Sequence, residues 1–481
     1  MGAVLLSPIY LLLHLYLAIR ILSWFSAIGG PMGSTGFAIV FTILFTLVTI
    51  SPLLGAFTRG SFKRAAKQLS NYWLGVLLYL SLFLLLSDLI RILFCLATQQ
   101  PLFLFAWSSE SADTVSRTAA VVGDAAVFAA AAFLSIYGIL HARQVKKVTY
   151  SVKVPKSGAF SVSKNETAET MSMQNPGANT VCVCKAQGNT KLKIALVADL
   201  HLGYSVGLPQ IKKIADIIRE MEPDLIVFAG DLFDNEFAAI GQPEECARVL
   251  ASLKSTYGSF ACWGNHDVEE LIFAGFTFHS KEEKVFGSPQ MNEFLKVSGI
   301  RILEDETLLI DNAFYLTGRL DASCQKSNGS PGHCTKQIQH KPHISASAHT
   351  QEESTAYPQP DDSNFCRSAS GKSVIGRKTP AELTAELDPK KPHIVIDHQP
   401  SELPDLAAAG VDLVLSGHTH DGQLFPASLT TRIGWKNSHG KLCIGNMTSI
   451  VTSGAGIWGP AMRVGTNNEV VEVSVSFSDK A

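Results

Sequence analysis

Five short blocks in the second half of the chain share one design. An apolar run of strand length ends, and a side chain able to hold a metal ion follows at once. The blocks are Ala198-Asp199-Leu200-His201, Gly230-Asp231, Gly264-Asn265-His266-Asp267, Asp397-His398 and Gly417-His418-Thr419-His420. Loops at the carboxyl ends of strands are where open α/β sheets bind ligands. An Asp-x-His step off a strand sets both side chains on one side, and His418 with His420 repeats that geometry. Gly264 and Gly417 allow the tight turn that lets a ligand approach the backbone. Carboxylate, imidazole and amide oxygen without a thiolate suit manganese, iron or zinc and argue against a closed structural zinc site. An Asp can also bridge two ions about 3.5–4 Å apart, the spacing of binuclear hydrolysis. Each block alone is weak, since Gly-Asp after a strand is usually a turn. Five in order, each off a strand, carry the reading.

The elements that must position these residues are legible around them. Runs at 192–198, 225–229, 260–264, 393–396 and 413–415 read as strands, and 470–477 as a terminal strand. Segments 209–221, 244–254 and 403–408 have helical periodicity. Strands and helices in turn predict an α/β domain with buried, largely parallel strands over 191–481. Residues 322–391 interrupt it with Ser, Gln, His, Pro and Lys, and read as a disordered insertion. That insertion holds His333, His340, His343, His349, Cys324 and Cys334. No ligand spacing there matches a zinc cage, so it reads as solvated loop.

The first 142 residues are different in kind. Apolar segments near 4–25, 36–57, 72–96 and 119–140 are each long enough to cross a bilayer, which takes roughly 20 residues. A cleaved leader followed by three spans is the competing reading. The lack of a basic residue before Arg20 and the length of the first run weigh against it. Residues 143–190 read as a linker with an early strand at 152–154. Arg59, Lys63, Arg64 and Lys67 follow span two, while Arg143, Lys146 and Lys147 follow span four. With the start of the chain inside, both basic loops lie in the cytosol, and so does the α/β domain. Three glycosylation sequons, at Asn165, Asn328 and Asn446, oppose that orientation. Asp88 and Arg91 lie one helical turn apart within span three, either as an intrahelical ion pair or as part of a polar site. His14 and Asp124 read as packing contacts between spans.

A net charge of -2 gives no footing for a nucleic-acid partner, and nine scattered cysteines without a framework lean toward a reducing compartment. With all five blocks in view, the chain resembles the calcineurin-like metallophosphoesterase superfamily. Its signature runs D-x-H, G-D, G-N-H-D, a lone His and G-H-x-H. Gly318-Arg319-Leu320-Asp321 and Asp397-His398-Gln399-Pro400 are similar to a bacterial subgroup that includes membrane-associated phosphohydrolases. The resemblance implies a four-layer αββα sandwich, here preceded by a four-helix transmembrane region. It implies Asp199, His201 and His420 on one divalent ion, Asn265, His398 and His418 on a second, and Asp231 bridging. His266 would be general acid or phosphate contact, steadied by Asp267. Asp234 and Asp397 would orient ligands. The implied reaction is attack of metal-activated hydroxide on a phosphomonoester or phosphodiester. Membrane attachment makes a lipid-linked substrate an expectation from location alone. A non-catalytic membrane adaptor that kept the fold is the alternative, and a transporter with a regulatory domain is a third; the complete ligand set and the few polar residues in the spans weigh against them.

Overall fold

The computed structural model describes residues 2–98, 114–156, 191–269, 271–273, 276–278, 284–324, 334–335 and 377–478. Two six-stranded sheets pack face to face. We number the strands of these two sheets in chain order. They are β1 (Val145–Val154), β2 (Lys191–Val197), β3 (Leu225–Ala229), β4 (Ser259–Cys262), β5 (Ile300–Ile302) and β6 (Glu306–Ile310). Then come β7 (Phe314–Gly318), β8 (His393–Ile396), β9 (Leu413–Ser416), β10 (Gly440–Ile444), β11 (Met447–Val451) and β12 (Asn468–Phe477). The first sheet has the order β1-β12-β2-β3-β4-β5, and the second β10-β11-β9-β8-β7-β6. Both are mixed: β12 runs antiparallel to β2, β6 to β7 and β10 to β11, while the strands bearing the metal-type residues are parallel to one another within each sheet.

Alternation along the strands builds the layers. Leu192, Ile194 and Leu196 of β2 meet Leu316, Ile394, Leu413 and Ile450 in one apolar slab between the sheets. Ala195 and Val197 turn outward, onto Ile211, Ile214 and Ile218 of the helix Leu208–Met221. The helix Leu403–Ala408 covers the other outer face through Leu403 and Leu406 against Val395 and Val414. β3 is buried at every position, which is why it reads as an unbroken apolar run. The result is the four-layer arrangement with helices outside.

Five helices precede the sheets: α1 (Gly2–Ile28), α2 (Thr35–Thr49), α3 (Ser51–Phe57), α4 (Gly60–Thr98) and α5 (Thr114–His141). Three of them are long and apolar enough to cross a membrane, and α2 with α3, bent by 51°, would make a fourth. The basic segment after span two is not a loop, because Lys63, Arg64 and Lys67 lie in the first turns of α4. Asp88 and Arg91 do not pair with each other. Asp88 meets Arg20 of α1 at 3.0 Å and accepts from Tyr16 at 2.6 Å, while Arg91 meets Asp124 of α5 at 2.6 Å. Arg20 also reaches Asp124 at 2.8 Å, so one quartet ties three helices together. Pairing between helices satisfies each charge and joins elements that an intrahelical pair would leave separate.

Two boundaries move. Much of the expected linker's first part is β1, ten residues beside β12. Only three residues separate α5 from it. Residues 377–391, expected within the insertion, are among those described, and Arg377 is packed into the domain. That guanidinium is buried and bonds Asp397 at 2.6 Å, Glu402 at 3.0 Å and the Leu320 carbonyl at 2.8 Å. A buried carboxylate such as Asp397 needs that neutralisation, which fixes the segment in place. A short helix, Pro380–Thr384, follows with a capping box at Thr379 and Glu382. His333, His340, His343, His349 and the sequons at Asn165 and Asn328 lie outside the described residues.

Candidate metal centre

Each metal-type side chain follows the carboxyl end of its strand. Asp199 and His201 follow β2, Asp231 follows β3, and Asn265 to Asp267 follow β4. From the facing sheet come His398 after β8 and His418 and His420 after β9. The backbone turns sharply at these points: Asp199, His201, Asp231, His418 and His420 all have φ between 46° and 73°. Left-handed backbone at non-glycine residues costs energy and collects at functional sites. Gly264 and Gly417 supply the room. A Cβ on Gly264 would lie 2.2 Å from Asp231 Oδ1, and one on Gly417 2.5 Å from Asp199 Oδ2.

Two triads form, Asp199 with His201 and His420, and Asp231 with His398 and His418. The donor atoms of each lie within 4.8 Å of one another. Asp231 Oδ2 stands 3.2 Å from His398 Nε2 and 3.6 Å from His201 Nε2, so this carboxylate lies between the two sets. Asn265 Oδ1 joins the second, 3.2 Å from His398 Nε2. All seven expected ligands therefore converge.

The donors fit a cation. His398 Nδ1 lies 2.9 Å from the Ala229 carbonyl, which can only accept, so Nδ1 carries the proton. Nε2 then faces Asp231 and Asn265 oxygens. Against its burial, Asp231 and Asp199 hold His398 well above the ordinary imidazole value, and an ion bound at Nε2 would displace the proton there. His201 Nδ1 faces Asp234 at 3.7 Å, again leaving Nε2 for the site. At His420, Arg463 donates to Nδ1 at 3.1 Å, so ligation through Nε2 would displace a proton there.

Burial and mutual charge set the electrostatics. Burial, with Asp231 nearby, pushes Asp199 up to about 6. Burial also raises Asp231, yet the pull of His398, His266 and His201 carries it well below the usual carboxylate range. Burial and the charge of His398 bring His418 down to about 4, and burial, His201 and Arg463 take His420 well below the ordinary imidazole value. Low values keep imidazoles neutral, the state that binds metal.

His266 is not steadied by Asp267. Its Nδ1 lies 2.6 Å from Asn235 Oδ1, and its backbone N–H donates to Asp231 at 2.8 Å. The Asp267 carboxylate instead accepts from the backbone of Gly264 and Phe233, both at 2.8 Å, and shapes the loop. Asp397 also reaches no ligand, being held by Arg319 and Arg377. Asn235 and Arg463 escaped the sequence reading. Arg463 donates to the His420 carbonyl at 3.0 Å and to those of Ser453 and Gly456 at 2.7 and 2.8 Å. Trp435 lies against His418 and Trp458 against His266, with ring centroids 5.1 and 5.5 Å apart.

Residues 192–422 match the family model described as calcineurin-like phosphoesterase. An uncharacterized metallophosphoesterase of Campylobacter jejuni is 25% identical over 284 residues, 58% of each chain. A Danio rerio transmembrane protein with metallophosphoesterase domain is 24% identical over 300 residues, 59% of this chain and 52% of that one. UDP-2,3-diacylglucosamine pyrophosphatase LpxG of Chlamydia trachomatis is 25% identical over 234 residues, 48% of this chain and 64% of the relative. The chain spans little more than half the length of the first two.

Proposed function

We propose, from the premise that this chain carries a calcineurin-like phosphoesterase domain, that it is a membrane-anchored phosphohydrolase with a binuclear metal site, cleaving a phosphomonoester or phosphodiester. The observation that carries this reading is Asp231 standing between two ligand sets, within 3.6 Å of an imidazole of each. A pair of divalent ions there, manganese, iron or zinc, would lower the pKa of water and stabilise charge on the phosphoryl oxygens. The chain's residues do the rest. Asn235 fixes the His266 ring through Nδ1, which leaves Nε2 as the edge facing a leaving oxygen. His266 is partly exposed while Asp199, His201 and Asp231 are buried, so it is suited to meet substrate at the mouth of the site. Asp234 and Arg463 hold the ligand rings of His201 and His420 from behind.

Membrane attachment is supported by the apolar helices and by the transmembrane relative. Lys63 meets Glu236 at 2.7 Å and Arg64 the Ala239 carbonyl at 2.8 Å, so the basic start of α4 is on the domain's side. Lys147 lies in β1 and pairs with Glu472. Basic residues mark the cytosolic side, which supports a cytosolic domain.

The test is metal content and hydrolysis of p-nitrophenyl phosphate and bis-p-nitrophenyl phosphate by the full chain in nanodiscs. Wild type should hold close to two ions and turn over at least one substrate; Asp231→Asn should lose both metal and turnover, while His266→Ala should keep its metal and lose turnover. A metal-free wild type indistinguishable from both variants would favour the adaptor. Protection of the domain from protease in sealed vesicles prepared cytosolic face outward would reverse the orientation.

A further inference from the structure

The metal-site domain is seated along α4 by a line of contacts. Lys63 and Arg64 touch the Glu236 loop, Gln68 the Tyr204 carbonyl at 3.1 Å, and Asn71 Ser205 at 2.9 Å. Further up, Gly75 leaves room for Met462, and Tyr79 donates to the Phe425 carbonyl at 2.9 Å. Tyr79, Leu424, Met462 and Val464 form one buried apolar cluster. Gly138 of α5 receives Val464 in the same way. Tyr79 is seven residues beyond Tyr72, where the apolar part of α4 begins. At 1.5 Å per residue that is about 10 Å along the helix, inside its apolar part. The Phe425 loop therefore packs on the apolar part of α4.

From that loop runs the eight-residue helix Ala427–Gly434. Leu429 and Ile433, one turn apart on the same face, are 51% and 88% exposed, and Phe425 before them is 48% exposed. Such an apolar face is costly in water. Arg432 and Lys436 beside it are exposed cations, as at the headgroup level of an interfacial helix. Trp435, at its end, is the residue packed on His418.

We propose that the helix Ala427–Gly434 lies in the membrane interface, with Phe425, Leu429 and Ile433 among the acyl chains, and that the metal site takes a phosphate ester borne by a bilayer lipid. This rests on the membrane-anchored phosphohydrolase reading and adds its substrate class. In the reaction, water oxygen bonds to phosphorus as the bond to the lipid oxygen breaks. The proton leaves water and ends on that oxygen, so the lipid alcohol stays in the membrane and phosphate departs.

The test uses the full chain in phosphatidylcholine nanodiscs, with Ile433→Cys and Leu89→Cys each carrying a polarity-sensitive maleimide probe, read against the equally treated parent. Both probes should be quenched by spin-labelled lipid and shielded from iodide. Quenching at 89 with iodide access at 433 overturns the interfacial helix alone. Iodide access at both overturns the membrane reading and the helix with it. In the second arm, dioleoyl phosphatidate in the disc should inhibit p-nitrophenyl phosphate hydrolysis at least tenfold more than the same amount of free glycerol 3-phosphate. Leu429→Glu with Ile433→Glu should erase that preference while p-nitrophenyl phosphate hydrolysis in discs without phosphatidate is unchanged. Equal inhibition by both compounds overturns the lipid assignment. Absence of all hydrolysis overturns the enzyme reading and the lipid assignment, and the probes then decide the helix alone.

Discussion

The helix bundle and the sandwich each bury a cluster of charge, and the two are balanced in different ways. In the bundle, Arg20 and Arg91 face Asp88 and Asp124, two cations against two anions at 2.6–3.0 Å. That cluster closes on itself, as charges in a low-dielectric setting must. In the sandwich, Asp199 and Asp231 face four imidazoles: burial lowers His418 and His420, while nearby carboxylates outweigh burial at His201 and His398 and raise both. Donor atoms of two triads converge there, each set within 4.8 Å. One cluster is a fastening made of cation–anion pairs that satisfy each other, the other a set of donors aimed at two common points, as a receptacle for ions would be.

The largest effect should come from breaking the receptacle. Asp231→Asn removes the carboxylate shared by both ligand sets. Hydrolysis should fall on the order of a thousandfold, because metal charge stabilisation contributes several kcal/mol. Metal analysis of the purified variant should show loss of at least one ion; a variant with full metal and full rate would undo the assignment.

Breaking the fastening should affect folding and spare chemistry. Asp124→Leu takes from Arg91 the carboxylate it meets and from Arg20 one of two, and should cost about 3–5 kcal/mol, read by unfolding in detergent. Replacing Arg20, Asp88, Arg91 and Asp124 together with apolar residues of similar size should recover most of that loss. If the single and quadruple variants are equally unstable, the quartet is not a self-balanced unit. A smaller change tests the partner found for His266: Asn235→Ala should lower kcat by about 10–100-fold with metal content retained. An unchanged rate would return the ring to some other support. The smallest effect belongs to an ion pair at the rim of the domain. Lys63→Ala removes the contact with Glu236, and because the pair is partly exposed it should cost less than about 1 kcal/mol by the same unfolding measurement.

The two clusters also differ in how far the sequence disclosed them. The metal residues sit in blocks of two to four, each just past an apolar run, so local pattern located them and the strands before them. Arg20, Asp88 and Asp124 are far apart in sequence, and only helix packing brings them together. Arg463 was missed as a lone polar residue in a loop, and Asn235 because, between Asp234 and Glu236, nothing local shows that it faces His266. β10 alternates buried and exposed positions at a sheet edge, too weak a signal to read. The helix Ala427–Gly434 hid because Leu429 and Ile433 face outward, opposite to the rule by which amphipathic helices are recognised.

The pairing of β1 with β12 orders events in time. Val145 leaves the ribosome directly behind the last helix, while its partner Asn468 is made much later. At roughly 5–20 residues per second, β1 waits on the order of 15–65 s for its neighbour. Until then the first sheet has β2, β3, β4 and β5 but no strand joining them to β1, which follows directly on α5. The five N-terminal helices are therefore made well before β12 can join β1 to the rest of the first sheet.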